Sequence, residues 1–232
     1  MTILMDHLIS WMIAVPILGI AILAFTRDEE SIRRIALVVT MVEVLLSLIL
    51  YRSFDLSLQG MQFVERVQWM PTFNIQYAVG VDGISILMVM LTVLLCPLCV
   101  LCSWTGIKTR VRAFLSLILL VEGAMIVVFT ALDLFLFFML WELTMIPMYF
   151  MIILWGGPNR LAAGLKFVLY SLAGSLLLLV GILGLYLNGG NTYDLLVLTE
   201  HTYSSNAQSW LFLAFFLSFA IKMPMVPFHT WL

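Results

Sequence analysis

The sequence predicts an all-α integral membrane protein with about seven transmembrane helices. Of its 232 residues, 63% are hydrophobic and only 10% are charged, whereas soluble domains are about 45–50% apolar and about 25% charged. Seven apolar stretches follow one another along the chain, each close to the roughly 20 residues that cross a bilayer as a helix. These stretches are too long and unbroken for the alternating strands of a membrane barrel.

The same composition excludes other classes of protein. Disordered chains are poor in apolar residues and rich in charge, which is the opposite of this chain. The net charge is −2, so the sequence lacks the basic surface that indicates a nucleic-acid partner. We therefore expect the lipid bilayer as the main environment and no nucleic acid among the partners.

The three leading spans are expected at Leu8–Phe25, Ile32–Tyr51 and Ile84–Ser103. A cluster of charges separates the first two, and the mixed segment between Arg52 and Gly83 is expected to form a short ordered loop at the membrane interface. Glu43 lies inside the second span. For this residue we favour a structural or inter-subunit pairing, because a charge inside a span needs a partner.

Three cysteines lie along the third span at intervals that place them on one helix stripe. Cys96, Cys99 and Cys102 could suggest a metal or iron–sulfur site. An iron–sulfur cluster usually takes four thiolates, and the sequence has no fourth cysteine. We interpret the three as small apolar side chains at a helix–helix contact, so no metal ligand is predicted.

The four remaining spans each contain an ionisable residue. The spans are Ala113–Thr130 with Glu122, Leu134–Trp155 with Glu142, Leu161–Leu187 with Lys166, and Ser209 to the end of the chain with Lys222. Four glycines in the sixth span, Leu161–Leu187, also predict close helix packing there; they are Gly164, Gly174, Gly181 and Gly184.

Loop charges predict the orientation of the spans. Seven loop Lys and Arg residues fall on one side of the predicted membrane and two on the other. Because cytoplasmic loops carry the excess of basic residues, the N-terminus should lie outside. The first ten residues lack the basic start of a cleavable signal peptide. The last predicted span stops at Leu232 without a polar flank, so we expect a piece of a longer chain.

Glu142 and Lys222 are the strongest candidates for function. A charge at the centre of the bilayer costs at least about 2.5–3.5 kcal/mol, so such residues usually face the bundle interior. Pro147 follows Glu142 closely, and Pro224 and Pro227 follow Lys222. Proline removes a backbone donor and interrupts the helix, and the freed carbonyls could stabilise a cation. We interpret the two residues as a coupled proton-transfer pair; the alternative is a structural ion pair.

Three further residues are weaker candidates. Glu122 and Lys166 could belong to a proton relay, or could anchor helices to each other or to the interface. His229 follows the second proline break. The titration range of histidine suits proton exchange, but a histidine near an interface is equally often a hydrogen-bonded side chain.

Several segments together resemble a known family. The fifth-span segments Phe137–Glu142, Pro147–Phe150 and Leu154–Gly156, and the seventh-span segment Lys222–Leu232, resemble the signatures of the antiporter-like subunits of respiratory complex I. The resemblance covers nearly all of the chain.

Other segments extend this resemblance. Lys166–Phe167 with Tyr170–Ser175 resembles the sixth span of that family, and Val79–Ser85 resembles the entry to the third. Phe63–Arg66 with Trp69 points to the subunit M branch, called chain 4 in mitochondria.

The resemblance implies a fold and a role. It implies the N-terminal half of a fourteen-helix antiporter-like fold with two inverted five-helix repeats and a broken seventh helix. Residues 1–112 would hold three leading helices and an outer loop, and residues 113–232 helices four to seven of the first repeat. Glu142 and Lys222 would form the proton-translocation pair. Lys166, Glu122 and His229 would belong to an accessory proton path.

The resemblance also implies partners and a location. The chain would be a subunit of NADH:quinone oxidoreductase without a redox site of its own. FMN, iron–sulfur clusters and quinone would be bound by partner subunits, and its neighbours would be other antiporter-like subunits. The membrane would be the bacterial cytoplasmic membrane or the mitochondrial inner membrane.

Other functions share parts of this pattern. A subunit of an Mrp-type sodium/proton antiporter or of a membrane-bound hydrogenase would carry the same Glu and Lys motifs. A purely structural membrane scaffold or a receptor-like seven-helix bundle would need no protonation at Glu142.

Overall fold

The computed structural model describes residues 7–232. Within them the chain forms nine α-helices, two β-strands and two turns of 3-10 helix. In chain order these are α1 Leu8–Phe25, α2 Glu29–Ser53, β1 Gln62–Met70, a 3-10 turn Pro71–Phe73, β2 Ile75–Val81, α3 Ser85–Gly106, α4 Val111–Thr130, α5 Leu134–Leu143, α6 Met145–Trp155, α7 Arg160–Asn188, α8 Leu195–Glu200, α9 Ser205–Lys222 and a 3-10 turn Phe228–Trp231.

The prediction of a helical multi-pass membrane protein is confirmed. Six helical segments of the described chain are long and apolar enough to cross a membrane: α1, α2, α3, α4, α5 together with α6, and α7. The seventh predicted span is also helical, but it is not one of these six. Its helix α9 ends at Lys222 and does not continue to the end of the chain, because Pro224 cannot donate the next backbone hydrogen bond.

The segment predicted as an interface loop contains a two-stranded sheet formed by β1 and β2. The strands are rich in aromatic and β-branched residues, which favour extended backbone. Pro71 starts the connection, and Asn74 ends it with a φ of 53°, a left-handed conformation that asparagine tolerates. The polar segment before α9 likewise contains a short helix, α8, whose first turn is capped by the Asp194 side chain.

The chain divides into two compact units, and the first consists of the residues through Arg66 together with Ala78–Ala131. In this unit α4 packs against α1, α2 and α3. Its core is apolar and includes Leu8, Met12, Val89 and Leu119. Glu43 on α2 and Glu122 on α4 lie within this apolar interior, so their environment is set by helix packing.

The second unit consists of Val67–Tyr77 and Leu132–Leu232. Here α7 is the central element, and α5, α6, α9 and the 3-10 turn Phe228–Trp231 all pack against it. The predicted close packing of the four α7 glycines is confirmed at every position, as Gly164 and Gly174 illustrate. A Cβ at Gly164 would lie 2.6 Å from Ile153 on α6, and a Cβ at Gly174 would lie 3.1 Å from Ile221 on α9. Small residues on α7 therefore let the neighbouring helices approach closely.

One face of α7 is apolar and exposed along its whole length. Its large side chains recur every three or four residues, which places them on one stripe. Such a continuous exposed stripe is unfavourable in water and suits lipid or another membrane helix. The stripe consists of Leu161, Leu165, Leu169, Leu172, Leu176, Val180, Leu183 and Leu187.

Candidate functional site: Glu142 and Lys222 at two helix breaks

Glu142 lies in the last turn of α5, next to an interruption of the predicted fifth span. The α-helical pattern stops at Thr144 and resumes as α6 at Met145. Pro147 has no N–H, so the carbonyl of Leu143 has no α-helical donor at that position. The break therefore follows from the proline that the sequence singled out, and it leaves Glu142 at a helix end.

The start of α5 is fixed by a carboxylate. Asp133 accepts hydrogen bonds from the backbone N–H groups of Phe135 at 2.9 Å and Leu136 at 3.0 Å, which caps the helix. It also accepts a hydrogen bond from the N–H of Gln76 at 3.0 Å. Burial raises the pKa of Asp133, while these three hydrogen bonds lower it. Asp133 thus joins β2 to the helix that carries Glu142.

Glu142 has a hydrogen-bond donor on the neighbouring helix. The hydroxyl of Ser175, on α7, donates to Oε1 of Glu142. Ser175 is buried, whereas Glu142 is partly exposed. A hydroxyl donor stabilises the ionised form of a carboxylate, so Ser175 supports a charge on Glu142.

Lys222 is the last residue of α9, and the helix break after it rearranges the backbone hydrogen bonds. The N–H of Met225 donates to the carbonyl of Ala220 at 2.9 Å, which Pro224 cannot do. The next carbonyl, that of Ile221, accepts a hydrogen bond of 2.8 Å from the indole N–H of Trp231. Both freed carbonyls are therefore satisfied by donors other than the Lys222 ammonium.

The Lys222 ammonium instead lies over an aromatic ring. Its Nζ is 5.1 Å from the ring centroid of Trp141, a distance at which a cation is attracted to the ring. The charge of Glu142 also acts on Lys222, although no direct ion pair joins the two among the described residues. The structure thus brings Glu142 and Lys222 into one site. Each has its own uncharged partner there, which is Ser175 for Glu142 and Trp141 for Lys222.

Lys166 and His229 lie beside this site, around the 3-10 turn Phe228–Trp231. The Lys166 ammonium donates to the carbonyl of Thr230 and lies 5.8 Å from the ring centroid of Tyr170. The Thr230 hydroxyl donates to the Tyr170 hydroxyl at 3.2 Å. Lys166 and His229 are both exposed in this chain, so neither lies in an interior polar path of the described residues.

Glu122 lies in the first unit, on α4, with another glutamate nearby. Glu122 and Glu43 both have an exposed fraction of 0%. All four of their carboxyl oxygens are buried, and within residues 7–232 none of them accepts a hydrogen bond from a hydroxyl, N–H or ammonium group. The charge of Glu122 acts on Glu43, and the Cys96 thiol on α3 interacts with Glu122. The pairing expected for Glu43 therefore has no basic partner among residues 7–232.

The cysteine stripe is only partly buried. Cys96 is buried, but Cys99 and Cys102 are exposed, so the predicted helix contact holds for the first of the three alone. Within residues 7–232 no group of three His, Cys, Asp or Glu side chains has the arrangement of a metal site.

Comparison with known proteins identifies the family. A family model described as NADH-ubiquinone oxidoreductase chain 4, amino terminus, matches residues 11–128. A second model, described as NADH:quinone oxidoreductase/Mrp antiporter, TM, matches residues 131–232. The chain belongs to the NADH-quinone oxidoreductase subunit M (chain 4) family. The resemblance inferred from the sequence is thereby confirmed, and the first model corresponds to the N-terminal part of chain 4.

Relatives of the chain 4 family support this assignment over the full length of the chain. NADH-ubiquinone oxidoreductase chain 4 of Arabidopsis thaliana is 41% identical over 227 residues, which cover 97% of this chain and 46% of that protein. NADH-quinone oxidoreductase subunit M of Rhodobacter capsulatus is 41% identical and covers 98% of this chain and 48% of that protein. The chain thus spans about half the length of the curated relatives it matches.

A solved structure gives the same result. A chain of respiratory complex I from Thermus thermophilus with bound NADH has 32% sequence identity and a TM-score of 0.82. The match covers 100% of this chain and 46% of that chain. The described residues therefore share the fold of about half of that complex I chain.

Sequence reasoning missed three residues that complete these sites. Ser175 and Trp141 contact the two candidate residues of the second unit, and Cys96 adjoins Glu122. Trp141 and Ser175 lie inside segments that carry the family resemblance, but neither was given a role. An aromatic residue in an apolar span usually faces lipid or core. Ser175 could have been suspected, because it lies next to Gly174 on the buried face of α7.

Proposed function

We propose that this chain is part of a proton-translocating membrane-arm subunit of an NADH:quinone oxidoreductase. The observation that carries the proposal is the placement of Glu142 and Lys222 at two helix breaks of one compact unit, close enough for their charges to interact. Family membership supports this reading over a purely structural scaffold or a receptor-like bundle, since the relatives are complex I subunits by name.

In this proposal Glu142 and Lys222 exchange protons as a coupled pair. Glu142 binds a proton on a carboxyl oxygen, and Lys222 binds one on its amine nitrogen. Because the pair interacts without a direct ion pair, the charge of one residue biases the proton affinity of the other. Ser175 supports the carboxylate, and the Trp141 ring supports the ammonium, so each charged state has a local partner when the other residue is neutral.

The remaining polar residues have supporting roles in the proposal. Lys166 and His229 line the turn after the Lys222 break and would connect the pair to an aqueous side, and Glu122 would serve an accessory site in the first unit. The N-terminus would lie outside, in the bacterial cytoplasmic or mitochondrial inner membrane, as the loop charges indicate.

Redox chemistry is assigned to other chains in this proposal. FMN, iron–sulfur clusters and quinone would be held by partner subunits, and neighbouring antiporter-like subunits would adjoin this one. The conformational or electrostatic change that follows quinone reduction would bias the Glu142–Lys222 equilibrium and so drive protons across the bilayer.

The test is proton translocation by the assembled complex carrying Glu142→Gln or Lys222→Met in the full-length subunit. We expect normal assembly and a large loss of NADH-driven proton uptake in both variants. A matched control is Glu200→Gln, since Glu200 is exposed at the end of α8. A proton-to-electron ratio equal to the wild type in both variants would contradict the proposal.

The second candidate is a subunit of an Mrp-type sodium/proton antiporter, favoured by the shared family description that matches residues 131–232. Membrane-bound hydrogenases are a further class with related subunits. These readings predict different co-purifying subunits, and the antiporter predicts exchange that requires sodium. Proton uptake that depends on NADH and not on sodium would exclude the antiporter.

A further inference from the structure

Two fully buried glutamates of the first unit have no basic partner among residues 7–232. Glu43 lies on α2 and Glu122 on α4, and both are fully buried. Within residues 7–232, no hydroxyl, N–H or ammonium group donates a hydrogen bond to any of their four carboxyl oxygens. Ionising a carboxylate in such a place has a large desolvation cost that no cation offsets.

The basic residues of the first unit are occupied or distant. Arg33 is the buried one, and its guanidinium donates to the carbonyl of Ile107 at 2.7 Å. It is ten residues before Glu43 on the same helix, which corresponds to about 15 Å along the axis. The other Lys and Arg side chains of this unit are exposed at helix ends, in loops or on β1; they are Arg27, Arg34, Arg52, Arg66, Lys108, Arg110 and Arg112.

The polar neighbours along the helix are also engaged. Thr40 and Ser47 share the buried face of α2 with Glu43. Their hydroxyls donate to backbone carbonyls of the same helix, at 3.0 Å to Leu37 and at 2.8 Å to Val44. Each hydroxyl has a single proton, so neither is left to donate to the carboxyl group.

The remaining ionisable groups around the pair are thiols. Cys96 on α3 is buried and interacts with both glutamates, and the exposed Cys99 interacts with Glu122. Helix α1, which packs against α4, has no ionisable side chain. The Cys96 thiol is a weak hydrogen-bond donor to Glu122, and an ionised thiol would only add negative charge. No titratable group around the pair in the described chain therefore supplies a positive charge to offset an ionised glutamate.

We propose that Glu43 and Glu122 form a buried carboxyl pair that holds protons at neutral pH, which makes this pair a proton-binding site of the first unit. Two carboxyl groups in one apolar site do not both ionise, because like charges repel where water cannot screen them. Each neutral acid gains an O–H donor that a carboxylate lacks. Protonation forms one O–H bond on each carboxyl group and involves no electron transfer.

This inference does not rest on the transport role proposed for Glu142. It places proton binding on Glu43, for which the sequence indicated a structural pairing. It also gives Glu122 a specific partner on a different helix.

The test is infrared difference spectroscopy of the assembled complex in membranes at neutral pH. The carbonyl stretch of a protonated carboxyl group is separate from that of a carboxylate. We expect Glu43→Gln and Glu122→Gln each to lose the signal of one protonated carboxyl group, and the double variant to lose two. Glu29→Gln is the matched control, because Glu29 is exposed at the start of α2, and its spectrum should equal the wild type.

Assembly provides a second measurement. Glutamine resembles a neutral carboxylic acid in shape, so both Gln variants should assemble to the wild-type level. Spectra without loss of a protonated carboxyl signal, or failure of both Gln variants to assemble, would overturn the proposal. The same spectra recorded in a Glu142→Gln background should show the same losses, whether or not Glu142 transports protons.

Discussion

The hydroxyl of Ser175 on α7 donates a hydrogen bond to Oε1 of Glu142 in the last turn of α5. The same hydroxyl lies 2.9 Å from the carbonyl of Ser171, one turn earlier on its own helix. Since a hydroxyl has one proton to donate, the two acceptors compete for it. When Glu142 is charged, the bond to the carboxylate is the stronger of the two.

Replacing Ser175 should weaken the charged state of Glu142. A hydrogen bond to a charged group contributes about 1.5–3 kcal/mol, so Ser175→Ala is expected to slow proton translocation by roughly ten-fold. NADH-driven proton uptake by the assembled complex in vesicles measures this rate. Ser209→Ala is the control, because the Ser209 hydroxyl is exposed and bonds only to its own helix at Ser205. Equal rates in the two variants would refute the role of Ser175.

The Trp141 ring should matter for Lys222 through its aromatic face. A cation–π contact contributes about 0.5–2 kcal/mol. Trp141→Leu removes the ring and should reduce proton uptake several-fold, whereas Trp141→Phe keeps a ring and should retain most of it. Both variants change packing against Phe137 and Phe219, so assembled complex is quantified first. If the Trp141→Phe and Trp141→Leu variants take up protons at the same rate when equally assembled, the ring does not act on Lys222.

The indole N–H of Trp231 should hold the chain after the α9 break in place. Trp231→Phe keeps a ring beside Phe167, which lies 5.3 Å away between centroids, but leaves the Ile221 carbonyl without its donor. Leaving a carbonyl unpaired costs about 1–3 kcal/mol. Faster amide hydrogen exchange is therefore expected over residues 223–232.

Trp210→Phe is the matched control for this exchange experiment, because Trp210 lies exposed on α9. It should leave the exchange of residues 223–232 unchanged. Unchanged exchange in Trp231→Phe as well would show that the indole bond does not stabilise the turn.

Asp82 should stabilise the start of α3 in a pH-dependent way. The backbone N–H of Ser85 donates to the Asp82 carboxylate at 2.7 Å and holds the pKa of that carboxyl below its usual range. In return the Ser85 hydroxyl accepts from the Asp82 N–H at 2.7 Å. Loss of such a cap costs about 1 kcal/mol, so Asp82→Ala should open the first turn of α3 several-fold more often.

The sign of the pH dependence follows from the lowered pKa. The stabilisation is complete above the unfolded-state pKa of about 3.9 and is lost as the pH falls through the lower pKa of the folded state. Hydrogen exchange of the first turn of α3, corrected for its intrinsic pH dependence, measures this difference between wild type and Asp82→Ala. A difference that grows on acidification would contradict the assignment.

The membrane helices could be predicted well because the length of each apolar run is read directly from the sequence. The predicted and observed bounds agree for α1, Leu8–Phe25, where polar residues flank both ends of the run. The sheet of β1 and β2 was missed, because its burial does not alternate cleanly and an exposed, half-apolar segment also suits an interface loop. The predicted seventh span ran on to the end of the chain, whereas α9 ends at Lys222, where Pro224 lacks the next backbone donor.

The candidate site was only half visible in the sequence. Glu142 and Lys222 stand out because an ionisable residue inside an apolar run is costly and therefore informative. Their contacts Ser175 and Trp141 do not, because serine and tryptophan are ordinary residues in membrane helices. Lys166 was visible in the same way, but its contacts were not: its side chain is exposed and its ammonium bonds to the backbone of the final turn.

The 3-10 turn Phe228–Trp231 is attached at two points: Trp231 to the carbonyl of Ile221 on α9, and Thr230 to Lys166 and Tyr170 on α7. In mechanical terms this is a stiff linkage between two neighbouring helices. A force that displaces the turn must either break one of these attachments or move the end of α9 and the first half of α7 together. A force on the chain after the break at Lys222 would therefore displace the end of α9, with Lys222, together with α7.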